Sequence, residues 1–419
     1  MKIGICIIGA GPAGLMAAIH AALAGAPSMV VETNATAGRK LLLTGGGRCN
    51  FTHAGDPQEI ARAFGEAGRF LRHSLYELSP DTIREFFRAR GLASTVEPDG
   101  CVFPTRNQAA DVRDILVKEC ERLGARLVYR SRATDITGSD SGFVIRVEDE
   151  RLAASEVILA TGGVSWPQTG SRGDGYRFAA HLGHTIIAPK PSLVPLITRE
   201  TWPGELAGVS LPDVQIGTTV NGRRLTADGH MLFTQNGIGG PAALDLSRLL
   251  ADELDEKSPG VDIRIDVLPG MDEAQLDRLL QQRLHAYPKK TIANILSELV
   301  PRQFARTLCR LAECDGDLPA GQIFREQRKR LVGTIKKLPL CITGTEPISK
   351  ATVTRGGVCR DEIDPRTMES KVCPGLFFAG EVIDLDGPCG GYNLQMCWST
   401  GALAGRSAAR LLLSTSPPT

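Results

Sequence analysis

Residues 2–33 read KIGICIIGAGPAGLMAAIHAALAGAPSMVVET, and the order of residue types in this stretch decides the fold. Ile3 to Ile8 carry apolar side chains on both faces, the pattern of a strand buried in a parallel sheet. Gly9-x-Gly11-x-x-Gly14 follows at once. A helix then runs to about Ala24, and Gly25 is a natural stop. A second strand, Ser28 to Val31, ends in Glu32 and Thr33. Gly9 permits a tight turn, Gly11 lets a pyrophosphate approach the backbone, and Gly14 lets helix and strand pack closely. With Ala10, Pro12 and Ala13 they place the helix N-terminus, with its free N–H groups and partial positive charge, at that pyrophosphate. Glu32 can accept hydrogen bonds from a ribose diol. A lone glycine motif says little; strand, turn, helix, second strand and acid in this order predict an α/β, Rossmann-like dinucleotide-binding domain.

Composition sets wide bounds. The chain has 419 residues, 42% hydrophobic and 23% charged, ordinary values for two or three globular domains. Its 48 basic and 47 acidic residues nearly cancel, so nothing demands nucleic acid or an anionic membrane, although a local basic groove is compatible. Eleven cysteines without a C-x-x-C pair argue against a disulfide framework and a Cys-rich zinc site. They predict reduced thiols in a cytoplasmic protein. The N-terminus has the Lys, apolar run and A-G-A end of a signal peptide, but Gly9, Gly11, Pro12 and Gly14 interrupt the run. No segment is an uninterrupted apolar run of bilayer length, so no membrane association is expected.

Two later segments choose between FAD and a nicotinamide cofactor. ASEVILATGGVS, residues 154–165, reads as a buried strand entering Thr161, Gly162 and Gly163. GLFFAGEVIDLDGPCGGYNLQMCWSTGALAG, residues 375–405, reads as a strand, then Gly380-Glu381, a loop, Gly390-Gly391 and a helix from about Asn393. With the first motif they resemble the three-part signature of FAD-binding flavoproteins. In that pattern the last helix points its positive N-terminus at the flavin pyrimidine ring, where reduced flavin carries negative charge. Only one G-x-G-x-x-G is present, which argues against a dedicated NAD(P)H domain and leaves NADH or NADPH open as a transient donor.

Between these segments the chain changes character. PKPSLVPLIT, residues 189–198, is a proline-punctuated linker. VQIGTTVNGRRL and VDIRIDVL are short alternating runs, with a hairpin signal at Asn221-Gly222. From Asp272 to about Leu331 the periodicity is helical. ISKATVTRGGV, residues 348–358, returns to extended structure, and the STSPPT tail is expected to fray.

The combination GRKLLLTGGGRCNFT, ATVTRGGV, EIDPRTMESK and PGLFFAGEVIDLDGPCGGYNLQ resembles the HI0933-like flavoproteins, also called the BaiN or aminoacetone oxidase type. The similarity runs from Ile5 to about Gly405. It implies a glutathione-reductase-like FAD domain built from residues 1–190 and 345–419. A β-rich substrate domain, 191–270, and a small helical subdomain, 271–344, are inserted. It implies an FAD-dependent oxidoreductase. Hydride would pass between flavin N5 and a small organic substrate held between the FAD and inserted domains. Amine oxidation with oxygen as acceptor and enone-type C=C reduction with NAD(P)H as donor both fit the family. The alternatives are a uridine reductase acting on ribosomal RNA and a non-catalytic flavin redox sensor. The basic run REQRKRLVGTIKK, residues 325–337, is the one feature that favours RNA, and a charge run more often marks a solvated helix face.

The resemblance also assigns residues. Arg39, Lys40 and Arg48 would neutralise phosphate charge. Thr44, Gly45, Gly46, Gly47, Cys49 and Asn50 would lie along the pyrophosphate and flavin, with Ala133, Ala160, Thr161 and Gly162 against the cofactor from other strands. Gly380, Glu381, Gly391, Tyr392, Asn393 and Leu394 would complete the flavin site. The catalytic candidates are Tyr392, stacking near the flavin or donating a proton, and Cys49, a thiol beside the isoalloxazine or a small buried residue. Glu381 and Asp384 would bond ribityl hydroxyls or cap a turn, and Asn393 is a candidate N-cap. Arg172 and Asp174 would face substrate or form a turn. Arg355 would steady reduced flavin or pair with a surface acid. Phe103 reads as core. His181 and His184 read as a helix end and a strand start, and no metal site is predicted.

Overall fold

A computed structural model describes residues 3–139, 142–254 and 259–415. The chain divides into two compact units, Met1–Lys190 with Thr352–Thr419, and Pro191–Ala351.

The first unit is built on one sheet. Strand Ile3–Ile8 lies in its middle, parallel to Ser28–Val31 on one side and to Glu150–Leu159 on the other. Arg126–Val128 extends the parallel part beyond Ser28–Val31. The first half of Glu150–Leu159 pairs antiparallel with Gly142–Val147, which pairs with Ala133–Ser139. Its second half pairs parallel with Leu376–Phe378, so a strand from the end of the chain completes the sheet. Ile5, Cys6, Ile7 and Ile8 are all buried, as a doubly covered parallel strand requires. The predicted Rossmann-like α/β architecture is present.

Two helices cross at unusually short range. Pro12–Leu23 packs along Tyr392–Thr415. A Cβ at Gly401 would lie 2.3 Å from the Ala13 carbonyl oxygen, and one at Gly405 would lie 2.1 Å from that of Ala17. The small residues of the last helix therefore set the distance between the two chain ends. That helix runs to Thr415, so Ser414 and Thr415 are helical rather than frayed; residues 416–419 lie outside the described residues.

His20 sits in the last turn of the first helix. Burial and the nearby Arg406 cation hold its pKa down, at about 4 against an ordinary 6.5. Protonation then favours the unfolded chain, which binds the proton more readily. Stability is complete above about pH 6.5 and falls as the pH drops toward about 4, by at most about 3 kcal/mol. Buried His184 is shifted in the same direction. The expected result is a thermal midpoint that is flat near neutral pH and falls across this window. A His20→Gln protein should show a shallower fall; an identical profile would remove His20 from the account.

The second unit contains a closed barrel in the order Leu196–Thr198, Gly237–Gly239, Arg223–Thr234, Ser210–Val220, Val261–Asp266, Leu338–Thr345. Asn221 and Gly222 join two of its strands with φ of 51° and 75°, the mirror-image turn that the Asn-Gly pair signals. Helices Glu273–Ala286, Ile292–Leu296, Arg302–Leu311 and Arg325–Lys336 intervene before the last barrel strand. They share one apolar core with the barrel, where Phe233 and Phe304 lie 5.1 Å apart.

Candidate functional site

The first glycine motif shows why each glycine is needed. Gly9 has φ of 104°, and a Cβ there would approach the Ala160 carbonyl oxygen to 2.6 Å. A Cβ at Gly14 would lie 1.9 Å from the Gly9 carbonyl oxygen. Gly11 is different: no atom lies within 4 Å of its missing Cβ, so it faces open space at the start of the helix. Ala10 and Ala13 are buried beside it, and Pro12 is the first helical residue. Glu32 is buried. One of its carboxylate oxygens accepts the Ala10 N–H at 2.8 Å, and the other accepts the Asn34 N–H and Nδ2 at 2.8 and 2.7 Å. The acid therefore latches the glycine turn as well as keeping lone pairs for a ligand hydroxyl. Thr33 is exposed. Ala133 is buried, two residues after Ser131, whose N–H donates to the Glu32 carbonyl.

The loop after this strand explains its run of glycines. A short 3-10 segment, Leu41–Gly47, breaks at Thr44, and Gly45, Gly46 and Gly47 have φ of 57°, 65° and 90°. Each L-residue in this left-handed region costs about 1–2 kcal/mol, so three in succession call for glycine. Gly46 also has no atom within 4 Å of its missing Cβ. The Thr44 carbonyl accepts the Cys49 N–H at 3.0 Å, and Asn50 Oδ1 accepts the Val102 N–H at 3.1 Å. Cys49 is fully buried, and burial pushes its thiol up to about 12. A neutral thiol without solvent access has the character of the small buried residue of the two readings.

The three nearby cations are engaged within the protein. Lys40 Nζ donates to Glu381 Oε2 at 2.7 Å and to Ser165 Oγ at 2.6 Å. Arg48 pairs with Glu97 at 2.9 Å and lies over the buried Phe103 ring at 3.9 Å. Arg39 is exposed and donates to Asn34 Oδ1 at 2.8 Å. Each thus has a protein partner. Adjacency to glycines in sequence does not fix where a long side chain points.

Glu381 organises the next layer. It follows Gly380, whose N–H donates to Thr400 Oγ1 at 3.0 Å. Its Oε1 accepts from Ser165 Oγ at 3.0 Å and from the Thr354 N–H at 2.9 Å. Thr354 Oγ1 in turn accepts the N–H groups of Val164 and Ser165. The Ala160-Thr161-Gly162 exit of strand Glu150–Leu159 therefore leads straight into this network. A Cβ at Gly163 would lie 2.3 Å from Thr354 Oγ1. Asp384 accepts the Gly356 N–H at 3.0 Å.

The entrance to the last helix is packed onto the loop at 50–53. Gly390 and Gly391 have φ of 109° and 93°, and a Cβ at Gly391 would lie 2.3 Å from the Thr52 carbonyl oxygen. The helix begins at Tyr392, one residue before the expected start. Tyr392 is half-buried and stacks on His53, with ring centroids 4.4 Å apart and 21° between planes. His53 Nδ1 lies 2.9 Å from the Gly390 carbonyl oxygen. Asn393 is not an N-cap: its side chain accepts the Gly387 N–H at 2.8 Å and donates to the Gly387 and Pro388 carbonyls, which pins the preceding loop. Leu394 is partly buried against the core. Thr52 Oγ1 donates to buried Gln395 Oε1 at 2.6 Å, and Trp398 Nε1 donates to the Phe51 carbonyl at 2.7 Å.

The remaining candidates fall outside this cluster. Asp174 pairs with Arg132 at 2.9 Å, and Arg172 is exposed. His181 ends its helix, and buried His184 lies 2.7 Å from Ser370 Oγ and 3.2 Å from Glu362. No group of three His, Cys, Asp or Glu among the described residues could hold a metal ion.

A family model described as "HI0933-like protein Rossmann domain" matches residues 3–407. The chain belongs to the HI0933-like family. This HI0933-like chain is 35% identical to a "3-dehydro-bile acid delta(4,6)-reductase" of Clostridium scindens, covering 97% of this chain and 98% of that one. It is 31% identical to a "Ribosomal RNA dihydrouridine synthase" of Escherichia coli, covering 94% and 95%. Among solved structures it matches a 3-ketosteroid delta1-dehydrogenase of Sterolibacterium denitrificans with a TM-score of 0.53 at 12% identity, covering 98% of this chain and 100% of that one, a likeness of fold alone. The HI0933-like chain is an FAD-dependent oxidoreductase. Its residues fit the cofactor: the space at Gly11, the latched acid Glu32 and the left-handed glycine loop are what a long dinucleotide needs. No helix among the described residues is long and apolar enough to cross a membrane.

Proposed function

We propose that this enzyme reduces a carbon–carbon double bond conjugated to a carbonyl, with NADH or NADPH as electron source. The observation that carries this reading is chemical. The two relatives differ widely in substrate name, yet a 4,6-dienone reduction and the formation of dihydrouridine both saturate a C=C bond polarised by a neighbouring carbonyl. When bound, FAD supplies the hydride equivalent that such a reduction consumes.

The chain's own residues do the rest. Gly9, Gly11 and Gly14 bring the helix N-terminus to the pyrophosphate, and Glu32 accepts from the ribose. The Gly45–Gly47 loop and the Gly391-Tyr392 helix entrance would hold the flavin end of the cofactor. The Tyr392 hydroxyl gives the proton that the α-carbon takes up, and the His53 ring holds the phenol in place. Residues 191–270 and 271–344 serve substrate recognition. All eleven cysteines are free thiols, which suits a cytoplasmic setting.

The test is anaerobic flavin spectroscopy. NADH or NADPH should bleach the holoenzyme, and a conjugated enone should restore the yellow colour without oxygen. Bleaching by small amines, with recovery only in air and release of peroxide, would replace this reading by an amine oxidase.

A further inference from the structure

We propose that Cys309 and Cys314 are a reversible modification site in the second unit, a thiol pair that a hydroperoxide closes to a disulfide. The two residues sit at the end of helix Arg302–Leu311. Ala312 is its C-cap, and Glu313 follows with φ of 52°, a left-handed residue that stops the helix. The Cys314 N–H donates to the Cys309 carbonyl at 2.9 Å, and the Glu313 N–H donates to the Arg310 carbonyl at 3.1 Å. These crossed bonds make a Schellman motif, in which the side chains at the positions of Cys309 and Cys314 are the two that meet across the helix end. Apolar residues commonly fill both places; here both are thiols.

The backbone limits how far apart the pair can lie. With ordinary bond lengths, the 2.9 Å hydrogen bond keeps the two Cα atoms within about 6.8 Å, inside the range that a disulfide spans. The Cys309 side chain points at the turn that carries Cys314: a Cβ added to Gly316 would lie 3.4 Å from Cys309 Cβ and 3.5 Å from its Sγ. That turn is anchored, because the Gly316 and Leu318 carbonyls accept the N–H groups of Ala293 and Ile292 at 3.0 and 3.1 Å. Burial pushes the Cys309 thiol up to about 12, and the neighbouring Cys314 is the next largest cause. Both thiols are free.

Cys314 reacts first. It is 5% exposed against 1% for Cys309, and it lies between exposed Glu313 and Asp315. Burial and the Asp315 carboxylate push its thiol up, and the Arg330 guanidinium, which donates to the Glu313 carbonyl at 3.4 Å, pulls it down. The Cys314 thiolate attacks one peroxide oxygen. An S–O bond forms, the O–O bond breaks, and the departing oxygen takes up a proton and leaves as water or an alcohol. Cys309 then attacks the sulfenic sulfur. The S–S bond forms, the S–O bond breaks, and the second oxygen leaves as water with the remaining proton. Two thiols give up two electrons and the peroxide takes both. Thiols held this high are poor nucleophiles at neutral pH, so the pair is a slow sensor rather than a peroxidase. A dithiol reductant reopens it by exchange, as suits a disulfide in an otherwise reduced protein.

The site is independent of what the enzyme reduces, and its readout is covalent, so its failure and that of the reductase reading are separable. Full-length holoenzyme is treated with excess hydrogen peroxide, alkylated under denaturing conditions and digested with trypsin. Residues 307–310 and 311–325 are separate tryptic peptides, each with one of the two cysteines. They should be recovered joined, two hydrogens lighter than their sum, and dithiothreitol applied before alkylation should return them singly. In Cys309→Ala protein, Cys314 should stop at the sulfenic acid and be trapped by dimedone. In Cys314→Ala protein, the Cys309 thiol should be lost at least about 10-fold more slowly. The wild-type peptide map decides the matter even if a variant fails to fold. Recovery of the two peptides singly alkylated after peroxide, or of cross-links between other cysteines in their place, overturns the proposal.

Discussion

A Gly11→Val protein is expected to fold normally and to purify without colour. Gly11 has φ of −78° and ψ of −177°, extended backbone that any residue adopts, so the substitution carries no conformational strain. No protein atom stands within 4 Å of the position that a Cβ would take. The valine side chain therefore meets nothing in the apoprotein and would occupy the space proposed for the pyrophosphate at the helix N-terminus. FAD affinity should fall by at least about 100-fold, roughly 2.7 kcal/mol. Gly14→Val is the contrasting variant. Its Cβ would enter the Gly9 carbonyl, 1.9 Å away with backbone on both sides, and that protein should fail to fold. Bound flavin after purification and the melting temperature of the apoprotein separate the two outcomes. A yellow Gly11→Val protein would show that the cofactor does not approach at this glycine.

The same glycines show how much of the molecule was legible in its sequence. Backbone requirements can be read locally, because a residue type reports its own φ. The Gly9-x-Gly11-x-x-Gly14 turn, the Asn221-Gly222 hairpin and the cost of Gly45–Gly47 were all visible in that way, as was the β–α–β order that fixes the sheet. Side-chain direction was not. Lys40 and Arg48 stand beside glycines as a phosphate clamp would, yet their partners are Glu381 and Glu97. Asn393 stands where an N-cap would, yet reaches back to Gly387. The residues missed altogether share one property. Ser165 meets Glu381 across 216 positions, Thr354 meets Val164 across 190, and Thr52 meets Gln395 across 343. His53 stacks on Tyr392 in the same long-range manner. Such pairs leave no spacing signal in a single sequence, because only the closed fold brings them together.

The Lys40–Glu381 pair is the most consequential of these contacts, and removing either partner should be costly. The side chains are 22% and 13% exposed, so neither charge is well solvated if left alone. Glu381→Gln leaves Lys40 without its counter-charge; Lys40→Met leaves the carboxylate facing only Ser165 and the Thr354 N–H. Breaking a buried ion pair from one side costs about 3–5 kcal/mol, and the residual exposure here lowers the expectation to about 2–4 kcal/mol. The double variant Lys40→Met/Glu381→Gln should recover part of that loss, because no lone charge remains buried. A double-mutant cycle should therefore give a coupling above about 1 kcal/mol. The effect should not stop at stability. Glu381 is fixed to the strand exit through Ser165, and it follows Gly380, whose missing Cβ would lie 2.8 Å from the Ala13 Cβ of the glycine-motif helix. Lys40 carries the glycine loop. The pair thus ties the loop at 38–50, the exit of strand Glu150–Leu159 and the approach to the last helix into one body, and each of these carries residues of the proposed cofactor site. Both single variants should release FAD more readily on dilution as well as melt earlier. Single variants that melt within about 1 °C of wild type, against the shift of several degrees that 2–4 kcal/mol implies, would show that the pair is an accessory contact rather than the clamp of the site.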